Sequence, residues 1–288
     1  MSELSTVSAL AQKVFDYQEV LKKTLAYFDG DELAATTWMN KYALKHPDGG
    51  FAEETPDAMH RRMAREFARI EQKYRTAAKL NGNFKHLSAY GQQRAPLDEQ
   101  GVYELFRDFR YVVPQGSVMA ALGNPYMIAS LSNCVVIPEI YDSYGGIMFT
   151  DQQLVQLFKR RCGVGLDLSS LRPAGLPVSN AAGTTSGAVS FMERFSNTTR
   201  EVAQHGRRGA LMITIDIAHP DVENFITMKQ DLSKVTGANV SVRLSDEFMR
   251  AVSDDTDFLL RWPIDSAQPS VRRTVRARDL WDTIIRCA

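Results

Sequence analysis

The residue best placed to do chemistry is Cys134. It follows Leu131-Ser132-Asn133 and opens the run Val135-Val136-Ile137-Pro138. That β-branched run reads as a short buried strand, stopped by Pro138. Cys134 then lies at a strand edge, where a loop opens onto a cavity. The same stretch also reads as a core cysteine, since free cysteine is among the most buried residue types. Cys162 sits at a helix C-terminus, where the dipole disfavours a thiolate, and reads as structural. Cys287 reads as packing on the last helix. The three cysteines form no Cys-x-x-Cys pair and no disulfide framework. His219 precedes a proline at a helix start and reads as a cap or turn residue. Neither His205 nor His219 has metal-ligand spacing with another His, Cys or carboxylate, so no metal site is expected.

The elements that must position these groups change in texture along the chain. Up to about Val113 the pattern is helical. Ser8 to Tyr27 and Glu32 to Leu44 read as helices, and His46-Pro47-Asp48-Gly49-Gly50 as a turn. Thr55-Pro56-Asp57 starts a third helix. Met59, Met63, Phe67, Ile70 and Tyr74 mark its apolar face, and Arg61, Arg62, Arg65 and Arg69 a solvated one. Beyond Pro114-Gln115-Gly116 short strands alternate with helices. Strands are expected at Val164–Leu168, Ala210–Ile217, Asn239–Leu244 and Phe258–Ile264. Helices are expected at Asp151–Arg161, closed by Gly163 in a left-handed cap, at Ala188–Gln204 and at Val222–Met228. This alternation predicts α/β with a largely parallel sheet. The expected domains are a helical one over 1–113 and an α/β one over 114–288.

Composition excludes several classes. Basic and acidic residues balance at 34 each, so neither nucleic acid nor an acidic membrane is an expected partner. No apolar run is long enough to span a bilayer. Without a signal-peptide pattern at Met1-Ser2-Glu3-Leu4, a reducing cytoplasm is the expected location. Leu280, Trp281, Ile284, Ile285 and Ala288 mark a helix face that stops unfinished. A second polypeptide, or a remainder of this one, is expected to complete the fold.

Several ordered motifs resemble the large, catalytic subunit of ribonucleotide reductases. They are Ser132-Asn133-Cys134-Val135-Val136, Asp142-Ser143, Lys159-Arg160-Arg161-Cys162-Gly163-Val164-Gly165 and Leu171-Arg172. Arg207-Arg208-Gly209-Ala210 and His219-Pro220-Asp221-Val222 follow. The stretches Trp38-Met39-Asn40-Lys41-Tyr42-Ala43-Leu44 and Glu54-Thr55-Pro56 look like the adenosylcobalamin-dependent, class II members. The resemblance implies a helical domain followed by the first half of a ten-stranded α/β barrel, whose complete form joins two five-stranded parallel half-sheets. It implies reduction of ribonucleoside diphosphates to 2′-deoxyribonucleotides by radical chemistry, with Cys134 as one of a reducing cysteine pair. Ser132, Asn133 and Gly163 match positions that line the substrate ribose, and glycine lets backbone approach a ligand closely. Gly123-Asn124-Pro125-Tyr126 replaces a longer family loop that usually carries a threonine near the substrate.

The resemblance also implies a second site, which reads dNTP or ATP effectors and selects the substrate base. Asp142 matches the residue that holds the effector sugar, Ser143 belongs to the same effector site, and Arg172 matches one that holds its phosphates. Asn180 to Gly187 corresponds to a first effector loop and Lys229 to Thr236 to a second, with Lys229 and Gln230 at its base-reading and relay end. The implied cofactor is adenosylcobalamin. Implied partners are a complementary C-terminal reductase polypeptide carrying an Asn-x-Cys-x-Glu loop, a thioredoxin-like reductant, and a second copy in a homodimer. Two other readings stay open. One is a class I large subunit served by a separate radical-generating subunit. The other is a non-catalytic nucleotide-effector-binding module.

Overall fold

The structure is a computed structural model, and it describes residues 13–202 and 209–288. The expected helix start at Ser8, and His205, Gly206, Arg207 and Arg208, lie outside the described residues. Two compact units divide between Asn133 and Cys134, against an expected boundary at 113/114.

The first unit is helical: α1 (Tyr17–Tyr27), α2 (Glu32–Lys41), α3 (Pro56–Leu80), α4 (Ala89–Gln93), α5 (Glu99–Phe106) and α6 (Gly116–Ala121). Asp16, Asp31, Ser88 and Asp98 cap α1, α2, α4 and α5 with their side chains. Thr55 precedes α3 in extended backbone but its side chain makes no cap bond; Pro56 supplies the start. Met59 and Met63 are fully buried with Trp38, Met39 and Phe106. The apolar face fades further along α3, where Phe67 is partly exposed and Tyr74 is 67% exposed.

Arg62 departs from the solvated face expected of it. It lies three residues beyond Met59, on the same side of the helix, and is buried. Its Nε donates to Glu53 at 2.7 Å, and its Nη groups donate to the carbonyls of Met119 and Leu122. The other Glu53 oxygen accepts the Leu44 N–H. One buried ion pair thus ties α3 to α6 and to the turn after α2. Arg61, Arg65 and Arg69 are exposed and pair with Asp57, Glu99 and Glu66.

The second unit is a four-stranded parallel sheet in the order β1 (Cys134–Val136), β2 (Gly163–Asp167), β3 (Leu211–Asp216), β4 (Asn239–Arg243). Helices α7 (Tyr144–Phe158), α8 (Met192–Val202) and α9 (Val222–Met228) link successive strands. Val164, Leu166, Leu211, Ile213 and Ile215 point to one face and form the core with Leu154, Phe158, Phe195 and Phe225. The helical unit and the following parallel α/β unit match the expected fold class.

Four local expectations are corrected. The strand opened by Cys134 is not buried, because it is the sheet edge; Val136 is 83% exposed. The left-handed residue after α7 is Arg161 (φ 67°), while Gly163 opens β2. Helix α7 begins at Tyr144, where Ser143 caps it, not at Asp151. The strand near Phe258 is β5 (Asp257–Trp262), and it pairs antiparallel with β6 (Val271–Arg276) in a separate sheet. The eight-residue link between them is too short for a parallel crossover. The chain continues through α10 (Asp246–Ser253), and α11 (Ala277–Cys287) buries Ala277 and Leu280 against α9 and α10.

Two outcomes follow for the helical unit. Arg62→Ala leaves Glu53 buried without its cation and should cost about 3 kcal/mol, read as a lowered urea midpoint. His60 is fully buried beside Phe106 and Phe109, with neither ring nitrogen hydrogen-bonded. Burial holds its pKa down at about 4, against a modest opposing pull from Asp57 and Asp108. The unfolded chain therefore takes up the proton first. Stability from His60 is complete above about pH 6.5 and is lost as pH falls toward about 4. Unfolding midpoints measured across that window should slope less steeply in His60→Leu.

Candidate functional site

The face of the parallel sheet opposite the helices carries the thiol. Register pairs Cys134 with Gly163, and Val136 with Gly165, Met212 and Asn239 in one row. Register partners in a parallel sheet project to the same side. Cys134 is exposed there, next to two strand positions that carry no side chain. Gly165 keeps the strip beside Val136 low: a Cβ on it would stand 3.7 Å from the valine methyl.

Further along the strands the same face turns polar. Thr214 donates to Asp167 at 2.6 Å, and Arg243 donates to Asp167 and Asp216 at 3.3 and 3.1 Å. These groups stand at the C-terminal ends of the strands, where ligands of open α/β sheets commonly bind. Asp167 and Arg243 line a cavity of about 680 Å³ there, with Glu139, Ser169, Ser170 and Trp262. The sequence pattern did not single out Asp167, Thr214, Asp216 or Arg243; alternating polar residues in a short strand look like any solvated face.

Ser132 and Asn133 close the first unit. The Asn133 amide donates to Gln115 at 3.0 Å, and the Ser132 N–H donates to Ser130 Oγ at 3.1 Å. Cys162 is buried, as expected of a structural cysteine.

A second cavity, of about 280 Å³, lies at the start of α7. Asp142, Ser143, Tyr144, Arg172, Asn180 and Thr185 are among its lining residues. Arg172 Nε donates to Asp142 at 2.7 Å, its own N–H donates to the other Asp142 oxygen at 3.2 Å, and Nη1 reaches the Pro177 carbonyl at 3.3 Å. Ser143 Oγ accepts the Gly146 N–H at 3.0 Å and so caps α7. The far wall is a small hairpin, closed by Val178 N–H to Gly183 O and Thr185 N–H to Leu176 O. A helix N-terminus beside a guanidinium is an environment suited to an anion.

Asp142, Ser143 and Arg172 thus come together, with Asn180 of the first expected loop. Lys229 and Gln230 do not line this cavity. Lys229 Nζ donates to the carbonyls of Val235 and Ala238 at 2.9 and 2.7 Å, closing its own loop. Gln230 reaches the Cys287 sulfur at 3.0 Å. Glu193 and Ser196 of α8 accept the Val235 and Gly237 N–H groups and hold that loop against the helix.

A helical unit followed by a parallel α/β unit that presents a thiol on the sheet face opposite α7, α8 and α9 defines a class of thiol-bearing α/β protein. Comparison with known proteins narrows it. The model of the ribonucleotide reductase all-alpha domain matches residues 28–125, and that of the ribonucleotide reductase barrel domain matches residues 132–288. The chain belongs to the ribonucleotide reductase large-subunit family. A vitamin B12-dependent ribonucleoside-diphosphate reductase of Thermoplasma acidophilum is 30% identical over 85% of this chain and 36% of its own length. A protein of the same description from Mycobacterium tuberculosis is 29% identical over 100% of this chain and 37% of its own. A ribonucleoside-diphosphate reductase large subunit of Caenorhabditis elegans is 26% identical over 54% of this chain and 23% of its own. The chain spans little more than a third of the length of the first two.

Exposure separates the cysteines by a simple measurement. In the native chain Cys134 should react with iodoacetamide at least about tenfold faster than Cys162, which should label only on unfolding. Peptide mass mapping of the alkylated sites reads this, and equal labelling would contradict the placement of β1.

Proposed function

We propose that this chain is the N-terminal portion of a ribonucleotide reductase that reduces ribonucleoside diphosphates, with Cys134 as one of its two reducing thiols. The observation that carries the reading is the exposed Cys134 paired in register with Gly163, within the span matched by the family's barrel domain. In the net reaction two thiols become a disulfide. Their two electrons and two protons replace the 2′-hydroxyl by hydrogen and release it as water. Cys134 supplies one thiol from this chain. Gly163, Ser132 and Asn133 are assigned to the substrate sugar in this reading. A complementary C-terminal polypeptide supplies the second thiol and the radical cysteine, and a thioredoxin-like dithiol restores the pair. The complete enzyme works as a homodimer in the cytoplasm.

The cavity at α7 is the effector site in this reading. Asp142 and Ser143 meet the sugar of a dNTP or ATP, and Arg172 with the α7 N-terminus meets its phosphates. Lys229 and Gln230 act indirectly, by shaping the loop held on α8. The relatives' names support a vitamin B12 cofactor, which in this reading is adenosylcobalamin and generates the radical. The described residues do not fit a corrin by themselves. The larger cavity on the thiol's face is lined by Asp167, Glu139 and Arg243, where a corrin needs a broad apolar plane. No step is therefore routed through it.

The test combines this chain with the remaining two thirds of a B12-dependent relative, a CDP substrate, adenosylcobalamin, dATP and a dithiol. Deoxycytidine diphosphate should form, and Cys134→Ser should lower turnover at least about a thousandfold while dATP still binds. The effector cavity lies wholly within the second unit, which favours a second reading as a nucleotide-sensing module. Undiminished turnover by the Cys134→Ser assembly would select that reading.

A further inference from the structure

The turn His219-Pro220-Asp221 between β3 and α9 was expected only to start a helix. Asp221 is nearly fully buried, and its carboxylate makes no cap bond to its own helix. It is turned instead toward a distant stretch of chain. The Ala174 N–H donates to both of its oxygens, at 3.1 and 3.2 Å, and the Ala188 N–H donates to Oδ2 at 3.0 Å. Ala174 and Ala188 bracket the hairpin that walls the α7 cavity. One carboxylate therefore gathers both feet of that hairpin.

Gly187 makes this possible. Its φ is +88°, and a Cβ there would lie 2.5 Å from Asp221 Oδ2 and 2.7 Å from the Ala174 nitrogen. His219 holds the carboxylate's own backbone. It is fully buried, its Nδ1 accepts the Asp221 N–H at 3.0 Å, and its Nε2–H donates to the Leu171 carbonyl at 2.8 Å. Leu171 directly precedes Arg172. A single turn thus fixes the residue before the cavity's guanidinium and both ends of the hairpin that walls the cavity.

We infer that Asp221, seated by His219, is a positioning residue that sets the hairpin 174–188 against Asp142 and Arg172, so that nucleotide binding at that cavity depends on it. This rests on the effector-site reading, and deepens it by naming the anchor of the first loop. The carboxylate accepts all three of its contacts from two backbone amides, so the tie needs an acceptor at both of its oxygens. Replacing it by a carboxamide keeps the volume and turns an N–H toward at least one donor.

The experiment compares Asp221→Asn with Asp151→Asn. Asp151 is also a buried carboxylate, but it binds Arg194 and Thr198 and does not touch the hairpin. Backbone amide exchange is followed across 174–188, β3 and α8, and dATP affinity is measured by calorimetry. Asp221→Asn should speed exchange in 174–188 at least about tenfold more than in β3 or α8, and should weaken dATP by about tenfold. Asp151→Asn should lower stability without that selectivity. Should Asp221→Asn not fold, Gly187→Ala wedges the same contact and should give the same selective pattern. Uniform exchange in both variants, or dATP bound as tightly by Asp221→Asn as by the parent, would overturn the inference. If the parent binds no deoxynucleoside triphosphate while Asp221→Asn still frees 174–188 selectively, the anchor stands and the effector reading falls.

Discussion

A parallel sheet ordinarily hides both faces beneath helices, because its connections deposit them there. In the second unit the helices that follow β1, β2 and β3 pack on one face, and that asymmetry governs what the other face can carry. A helix-free face must be tolerable to water or to whatever fills it. The residues obey this: glycine at 163 and 165, asparagine, threonine and serine at 239, 214 and 241, and a carboxylate–guanidinium group at the strand ends. Val136 and Met212 are the apolar exceptions. A thiol is acceptable in such company, and the glycines leave it approachable. Placement of Cys134 is thus a consequence of strand register, since a slip of one residue would turn it into the core.

Much of this was legible in the amino-acid sequence because it rests on short-range rules. Val222–Met228 and Asn239–Arg243 follow from period and capping, and the family motifs located the Cys134, Asp142 and Arg172 positions. What escaped reading depends on contacts between distant residues. Period alone cannot distinguish an edge strand from a central one, so β1 looked buried. Arg62 looked solvated because its partners, Glu53 and the carbonyls of Met119 and Leu122, come from other segments. Antiparallel pairing of β5 was hidden because Val271–Arg276, with three arginines, lacks the apolar alternation that marks a strand. Asp221 resembled an ordinary helix start because its acceptors' use is set by a loop more than thirty residues upstream.

The buried charges share one logic. Removing an ion from water costs several kcal/mol unless geometry returns the loss, so such groups persist where one side chain satisfies several partners at once. Glu53 and Arg62 do so around α3, Asp151 joins α7 to α8 through Arg194 and Thr198, and Asp221 gathers two backbone segments. Each links segments that hydrophobic packing alone would leave free to slide, because apolar contacts carry little directional preference. The core supplies cohesion; these few ions choose the register in which it is expressed.

That division of labour bears on how a signal could pass through the second unit. The α7 cavity and the open sheet face share β1, β2 and the turns that follow them. Asp142 comes shortly after β1, whose first residue is Cys134, and Arg172 comes shortly after β2, whose first residue is Gly163. The Asp142–Arg172 pair therefore joins the segments that follow the two strands holding the thiol and its glycine. Strands are stiff along their length, and the packed core resists continuous deformation, so coupling of this kind needs loops with discrete alternative arrangements rather than a bending sheet. The loop from Lys229 to Gly237 is pinned by Glu193 and Ser196 to α8, and α8 begins just beyond the hairpin's second foot, so one helix touches both segments.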